Sequence, residues 1–236
     1  MRTLQAFNYG LIILHSFLFF GTFVGSSPIE TRDAISPISV YSPVGQISER
    51  GCGFSKSCPY TPPAVSSTLP SVSDLVSVIQ GYGRVGNLDS LFYSGFGGAG
   101  AITMSKAWYC SNVGSHGGRG AVAWDGIVDN TWFGNQAKAL AAAGIAADPF
   151  MKRLSQAFAE ASSGTVYFFC PTGKDGTSTV DFPVPQTAWG GWEFPALTRN
   201  PNVVSIIQVD PSVRPWDLGH TIWSQGDPAS PNAPLG

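Results

Sequence analysis

The chain has 236 residues, a formal net charge of −2 and 12% charged residues, while 43% of its residues are hydrophobic. Because it has no basic surplus to contact phosphate backbones, nucleic acid is excluded as a partner. The length suits one domain of roughly 100–200 residues with short additions. The 28 glycines and 18 prolines predict many turns and long connections.

Residues 1–26 have the pattern of a secretory signal peptide. Arg2 precedes an apolar run from Leu11 to Val24, and small residues follow at 25–27. The alternative is a membrane anchor, but the run is short for the ~20 residues that a spanning helix needs. The sequence therefore predicts a secreted, extracellular protein without a membrane span.

Residues 27–69 are rich in serine and proline, which predicts an extended arm. The four cysteines of an exported chain indicate two disulfides, with three possible connectivities. Cys52–Cys58 is favoured because it closes a small loop beside prolines, and it leaves Cys110–Cys170 as the second bridge. No metal site is expected, because the cysteine spacing does not fit a zinc motif.

Residues 70–227 are predicted to form one domain of helices and strands, followed by a disordered tail at 228–236. Helices are predicted at 70–83, within 99–111, at 135–146 and at 148–164, strands at 89–96, 165–170, 203–209 and 220–225, and a loop at 112–121. The helix at 148–164 is expected to begin with Asp148 as its N-cap and Pro149 as its first residue.

The fold class predicted from this pattern is α/β. The strands at 165–170 and 203–209 are apolar throughout, which is typical of buried parallel strands. Helices dominate the N-terminal half, and most strands follow later. We therefore expect a helical N-terminal half packed on a small, largely parallel sheet in the C-terminal half.

Four short motifs follow one another within this domain: FYSG at 92–95, TWFG at 131–134, FMKRLSQAFAE at 150–160 and TAWGGWE at 187–193. They resemble, in the same order, the motifs F-W-S-G, T-W-C-G, F-W-x-x-x-S-x-x-[FY]-A-E and S-T-F-G-x-V-E of the ADP-ribosyl cyclase / NAD glycohydrolase family. An apolar strand follows the last motif in both. The resemblance covers roughly residues 90–210, and it implies the fold and the NAD-cleaving activity of that family.

The resemblance also implies roles for individual residues. Glu193 corresponds to the catalytic glutamate of the family. Ser155 and Ser94 correspond to serines that contact the NAD phosphates, and Tyr93 to a tryptophan that lines the nicotinamide end of the site. Trp189 replaces the phenylalanine of the S-T-F-G motif, and is expected to contact the substrate.

Other positions depart from the family pattern. Met151 stands where the family has a second tryptophan that stacks on nicotinamide, and Ala188 replaces a phosphate-binding threonine, although Thr187 is adjacent. Trp124 and Asp125 are the nearest match to the T-L-E-D-T motif, whose glutamate sets the balance between cyclisation and hydrolysis. That balance is therefore not carried over to this chain.

One family disulfide would join positions that are here Asn87 and Ser163. Both positions lack cysteine, as expected when a bridge is lost as a pair.

The residue types suit cleavage of the bond between nicotinamide and ribose. Nicotinamide leaves as a neutral molecule and needs no general acid, whereas ordinary glycosidases use two carboxylates. A single glutamate, Glu193, is enough to stabilise the oxocarbenium charge, and aromatic faces attract the cationic ring by about 0.5–2 kcal/mol. NAD or NADP is then the substrate, no cofactor is required, and a homodimer is left open.

Alternatives remain at this stage. Glu193 can be an ordinary strand-edge residue, Trp189 and Tyr93 can be core residues, and Ser155 can be a neutral helix serine. A secreted ADP-ribosyltransferase toxin would use the same glutamate, although its usual arginine or histidine is missing from the strand LFYSG. A non-catalytic secreted protein would use the tryptophan-rich loop to bind carbohydrate or a partner protein.

Overall fold

In the computed structural model, which describes residues 60–94, 98–170, 187–213 and 218–235, five strands form one mostly parallel sheet. The strands are β1 (Asp89–Tyr93), β2 (Ala121–Ala123), β3 (Gly164–Phe169), β4 (Val203–Val209) and β5 (His220–Ser224), in the spatial order β2-β1-β3-β4-β5. All pairs are parallel except β4–β5, which is antiparallel. The predicted α/β class and largely parallel sheet are confirmed.

The helices are α1 (Val72–Gly81), α2 (Gly98–Asn112), α3 (Asn130–Ala142), α4 (Ala147–Ala161) and α5 (Phe194–Leu197), and a π-turn at Trp189–Glu193 leads directly into α5. The predicted helix start at Asp148 is wrong, because Ala146 is the N-cap of α4. The carboxylate of Asp148 instead forms an ion pair with Lys152 one turn later, at 2.7 Å. None of the helices among the described residues is long and apolar enough to cross a membrane.

Helices cover both faces of the sheet with their apolar residues. Alternate residues of β3 point to opposite sides: Val166 and Phe168 pack with α1, α3, α4 and α5, whereas Tyr167 and Phe169 pack with α2. Burial on both faces explains why this strand is apolar throughout rather than alternating with polar residues. The larger of the two cores lies on the α4 side, where the candidate site is built.

The strands are less segregated along the chain than expected. β1 comes from the first half of the chain and lies between β2 and β3. β2 begins at the end of the predicted loop, and its three residues are too few to give a readable alternation. The sheet therefore interleaves the two halves of the chain instead of belonging to the C-terminal half alone.

The predicted Cys110–Cys170 disulfide is wrong. Cys170 is a buried thiol that follows β3 and belongs to the core on the α4 side of the sheet, whereas Cys110 lies on α2, which covers the other face. Cys110 itself is disulfide-bonded. The predicted Cys52–Cys58 bridge, the signal peptide and the arm as far as residue 59 lie outside the described residues.

The predicted disordered tail instead lies against the domain as a segment that we call the C-terminal strap, residues 228–235. Near its start, Arg199 donates to the carbonyl of Ser230 at 2.7 Å. Near its end, the side chain of Gln156 holds both main-chain groups of Leu235, at 2.9 and 2.7 Å. These long-range hydrogen bonds fix the segment although its sequence is typical of disorder.

The C-terminal end of α4 is capped by Asn200, whose Nδ2 donates to the carbonyls of Ala159, Glu160 and Ser162 at 3.1, 2.9 and 2.8 Å. We expect Asn200→Ala to lower the free energy of unfolding by about 2–3 kcal/mol, because all three carbonyls lose the hydrogen bond from Asn200. Urea unfolding measures the change. The exposed neighbour Asn202 provides the control, since Asn202→Ala should change stability by less than about 0.5 kcal/mol. Equal values for the two variants would contradict the capping role.

Candidate functional site

The candidate site lies where the carboxyl ends of β1 and β3 adjoin. The chain leads from β1 to β2 on one side and from β3 to β4 on the other, so the connections diverge between these two strands. In open α/β sheets, ligands bind at such a switch point. Tyr93 is the last residue of β1, and the adjacent Ser94 donates its main-chain N–H to the carbonyl of Phe169 at 2.9 Å.

The centre of the site is a buried pair formed by Glu193 and Ser155. Glu193 is only 8% exposed and Ser155 is 1% exposed. The Ser155 hydroxyl, on α4, donates to Oε1 of Glu193 at the end of the π-turn. Met151 precedes Ser155 by four residues, shares its helix face and is also buried. Three residues picked out by two separate motifs are thus part of one packed region.

Thr187 caps the π-turn that carries Glu193. Its hydroxyl accepts the N–H of Gly190 at 2.9 Å, and its carbonyl accepts the N–H of Gly191 at 2.9 Å. The side chain predicted to contact substrate therefore has a structural role at the start of the turn. π-turns are rare and occur often at functional sites.

Trp189 forms an aromatic floor in the core instead of an open binding surface. Its side chain is 0% exposed and stacks on Phe168 with ring centroids 3.7 Å apart and planes 4° apart. The rings of Phe92 and Phe194 lie at 6.0 and 5.5 Å. The predicted direct contact between Trp189 and a substrate is therefore not available to this covered ring, and its contribution is to exclude water from the core beside Glu193.

Burial dominates the electrostatics of Glu193. Removal from water raises its pKa to about 7, and the hydrogen bond from Ser155 acts in the opposite direction by stabilising the anion. Among the residues that the structure describes, this carboxylate accepts a hydrogen bond only from Ser155 and has no cationic partner. A buried acid that titrates near neutral pH and lacks a counter-ion is typical of a functional site.

Tyr93 shares the electrostatic field of this carboxylate. Burial raises the pKa of the Tyr93 phenol, and the negative charges of Glu193 and Asp125 raise it further, so the phenol stays protonated. Asp125 is exposed at the rim and forms an ion pair with Lys106 at 2.7 Å. Trp124 packs against the edge of the larger core. Tyr93 and Asp125 thus belong to the site electrostatically, while Trp124 supports it.

Several residues of this region were not identified from the sequence. Phe168 lies in an apolar strand, and nothing local marks it as the stacking partner of Trp189. Pro195 has no main-chain N–H. Its position two residues after Glu193 could have indicated an irregular turn from the sequence alone. Asn232, in the strap, donates to the carbonyl of Gly190 at 2.8 Å, and its own sequence context gives no sign of this contact.

A cavity of about 610 Å³ lies at the other end of the strands from the candidate site, near their amino ends. Its lining includes Asn87, Arg119 and Ser163. Glu193 is not part of it. The Arg119 guanidinium is engaged by Asp89, at 2.9 Å, and by the carbonyl of Ser163. The described ranges contain no group of three or more histidine, cysteine, aspartate or glutamate side chains arranged to bind a metal ion.

No family model, curated protein or solved structure matches this chain significantly.

The burial of Glu193 makes a prediction about stability that needs no substrate. Its pKa in the folded protein lies above the unfolded value, from 4.5 to about 7, so the protein should lose about 3 kcal/mol of stability as the pH rises through this window. Glu193→Gln cannot ionise. The free energy of unfolding of Glu193→Gln, relative to that of the wild type, should therefore rise by about 3 kcal/mol between roughly pH 4 and pH 8. Urea unfolding at the two pH values measures this change. A difference that does not vary with pH would contradict the buried carboxyl.

Proposed function

We propose that this protein is a secreted NAD-consuming enzyme that cleaves the nicotinamide–ribose bond of NAD or NADP. The products are nicotinamide together with ADP-ribose, cyclic ADP-ribose or both, in their phosphorylated forms when NADP is the substrate. The observation that carries the proposal is the buried Glu193 carboxylate, which has the Ser155 hydroxyl beside it and no cationic partner among the described residues.

An uncompensated buried carboxylate favours a cationic ligand. The nicotinamide ring of NAD carries a positive charge, which would stabilise the ionised form of Glu193 and lower its pKa in the complex. Ser155 occupies Oε1, so the other carboxylate oxygen is available to accept a hydrogen bond from a ribose hydroxyl. The aromatic surroundings exclude water, and the carboxylate field is less screened there than in solution.

The reaction needs only this one carboxylate. As the bond from ribose C1′ to nicotinamide breaks, its electron pair passes to the ring nitrogen, and nicotinamide leaves neutral. The positive charge moves to the ribose as an oxocarbenium ion, which Glu193 stabilises. Water then adds to C1′ and releases a proton, giving ADP-ribose. If the adenine nitrogen adds instead, the product is cyclic.

Ser155 and Tyr93 have supporting roles in this mechanism. The Ser155 hydrogen bond fixes one carboxylate oxygen and keeps the pKa of Glu193 from rising further. The phenol of Tyr93 stays protonated at the carboxyl end of β1, where it can donate a hydrogen bond or present its ring face to the nicotinamide cation.

The convergence of the motifs supports the resemblance to ADP-ribosyl cyclases. Tyr93, Ser155 and Glu193 come from three of the four motifs, yet they share one packed and electrostatically coupled region. A second observation that supports the resemblance lies away from the candidate site, at the positions of the missing family disulfide. Ser163 donates its hydroxyl to the carbonyl of Gly86, next to Asn87, and both positions of the missing family disulfide line the same cavity.

The proximity of Asn87 and Ser163 allows the alignment to be tested without any assay of activity. We expect the double variant Asn87→Cys/Ser163→Cys to form a disulfide and to gain about 2–4 kcal/mol of stability, lost on reduction. Peptide mapping under non-reducing conditions identifies the bridge, and Asn87→Cys alone is the control. If the two cysteines stay reduced in oxidising buffer, the family alignment fails, whereas the geometry around Glu193 is unaffected.

The function itself is tested by incubating the purified protein with NAD and separating the products by chromatography. We expect free nicotinamide with ADP-ribose or a cyclic nucleotide, and a turnover at least a hundredfold lower for Glu193→Gln, which corresponds to roughly 2.7 kcal/mol of transition-state stabilisation. Circular dichroism verifies that the variant is folded.

Asp74→Asn makes the same acid-to-amide change at an exposed position in the first turn of α1, and should keep the turnover close to that of the wild type. ADP-ribose attached to protein would indicate a transferase instead. Intact NAD would indicate a non-catalytic binding protein, and either result would refute the proposed reaction.

A further inference from the structure

The π-turn that carries Glu193 leaves one buried carbonyl without a donor of its own. The N–H of Phe194 bonds to the carbonyl of Trp189, which is the pairing that defines the π-turn. The next carbonyl is that of Gly190, and in the same pattern its donor would be residue 195. That residue is proline, which has no N–H. Gly190 is buried, and a buried carbonyl without a donor costs about 1–3 kcal/mol.

Asn232 of the C-terminal strap supplies the missing hydrogen bond. Its Nδ2 donates to the Gly190 carbonyl at 2.8 Å across 42 positions of sequence. The strap is anchored on both sides of this amide. The main chain of Ser230 is held by Thr198 and Arg199, and that of Leu235 by Gln156.

The second anchor lies on the same helix as Ser155, because Gln156 is the next residue of α4. Gln156 itself is 1% exposed, and its side chain holds the main chain of the more exposed Leu235. The strap therefore connects both elements whose side chains meet in the Glu193–Ser155 pair: α4 through Gln156, and the π-turn through Asn232.

We infer that the C-terminal strap positions the Glu193 carboxyl, and that Asn232 is a positioning residue which acts by completing the hydrogen bonds of the Trp189–Glu193 turn. Its kinetic consequence rests on the proposed function, whereas its structural consequence does not. Without the Asn232 amide, the turn is free to relax to regular i→i+4 pairing, in which Phe194 bonds to Gly190. That change rotates Glu193 relative to Trp189 and moves its carboxyl away from Ser155.

The direct test is Asn232→Ala. With NAD as substrate, we expect kcat to fall about tenfold or more, with a smaller change in KM, because the carboxyl is displaced rather than the substrate contacts removed. The matched control is Asn112→Ala on α2. Asn112 also donates from Nδ2 to a main-chain carbonyl, that of Trp108, at 2.8 Å, but on the other side of the sheet. It should leave kcat unchanged.

A second readout needs no substrate. Titration of the glutamate carboxyls by ¹³C NMR follows four residues in the whole chain, and Glu193→Gln identifies the resonance of Glu193. In the wild type its midpoint should lie near 7. In Asn232→Ala it should fall clearly toward the value of an exposed glutamate, ~4.3, because water reaches the carboxyl. An unshifted midpoint would overturn the inference, whatever the kinetics show.

The two readouts separate failure of the inference from failure of the proposed function. A shifted midpoint in a protein that leaves NAD intact refutes the function alone. A protein that cleaves NAD but has an unshifted midpoint in Asn232→Ala refutes the positioning role alone.

A rescue experiment tests the missing donor itself. Pro195→Ala gives residue 195 a main-chain N–H that can reach the Gly190 carbonyl. In the Asn232→Ala background, this second change should move the titration midpoint of Glu193 back toward its wild-type value. If Pro195→Ala gives no recovery in a protein that remains folded by circular dichroism, the account based on the proline is wrong.

Discussion

The desolvation of one carboxylate is the constraint on which the site depends. Glu193 lies in the core with the Ser155 hydroxyl as its partner, and burial raises its pKa to about 7. A core designed only for stability would carry an apolar residue here or pair the charge with a cation. The cost has to be offset by the packing around it, above all by the stack of Trp189 on Phe168.

The fold supports this carboxylate by mounting its partners on rigid elements. Ser155 lies within α4, which packs on the sheet, and Tyr93 ends a central parallel strand. Glu193 alone lies on an irregular turn, where regular main-chain hydrogen bonding is incomplete. It is therefore at this turn that side chains from outside it add hydrogen bonds: Thr187 at its start and Asn232 from the strap.

The sequence predicts the elements better than the contacts between them. β3 and β4 were located closely, because most of their residues are apolar, and the motifs led to Glu193 and Ser155. The burial of Trp189 was only an alternative in the sequence analysis, since the rings of Phe92 and Phe168 that pack against it come from strands distant in sequence. The strap was missed for the same reason: its proline, serine and asparagine content is typical of disorder, and its order depends on distant donors such as Arg199.

Pro195 connects the local irregularity with this distant support. Pro195, two residues after Glu193, follows the wider Trp189–Glu193 turn and brings no main-chain N–H to it. In that turn Trp189 and Glu193 are both buried, with two glycines between them. The same proline deprives Gly190 of a donor, and no residue within the turn replaces it. The donor comes from Asn232, so the geometry of the carboxylate and the docking of the C-terminal strap depend on one another.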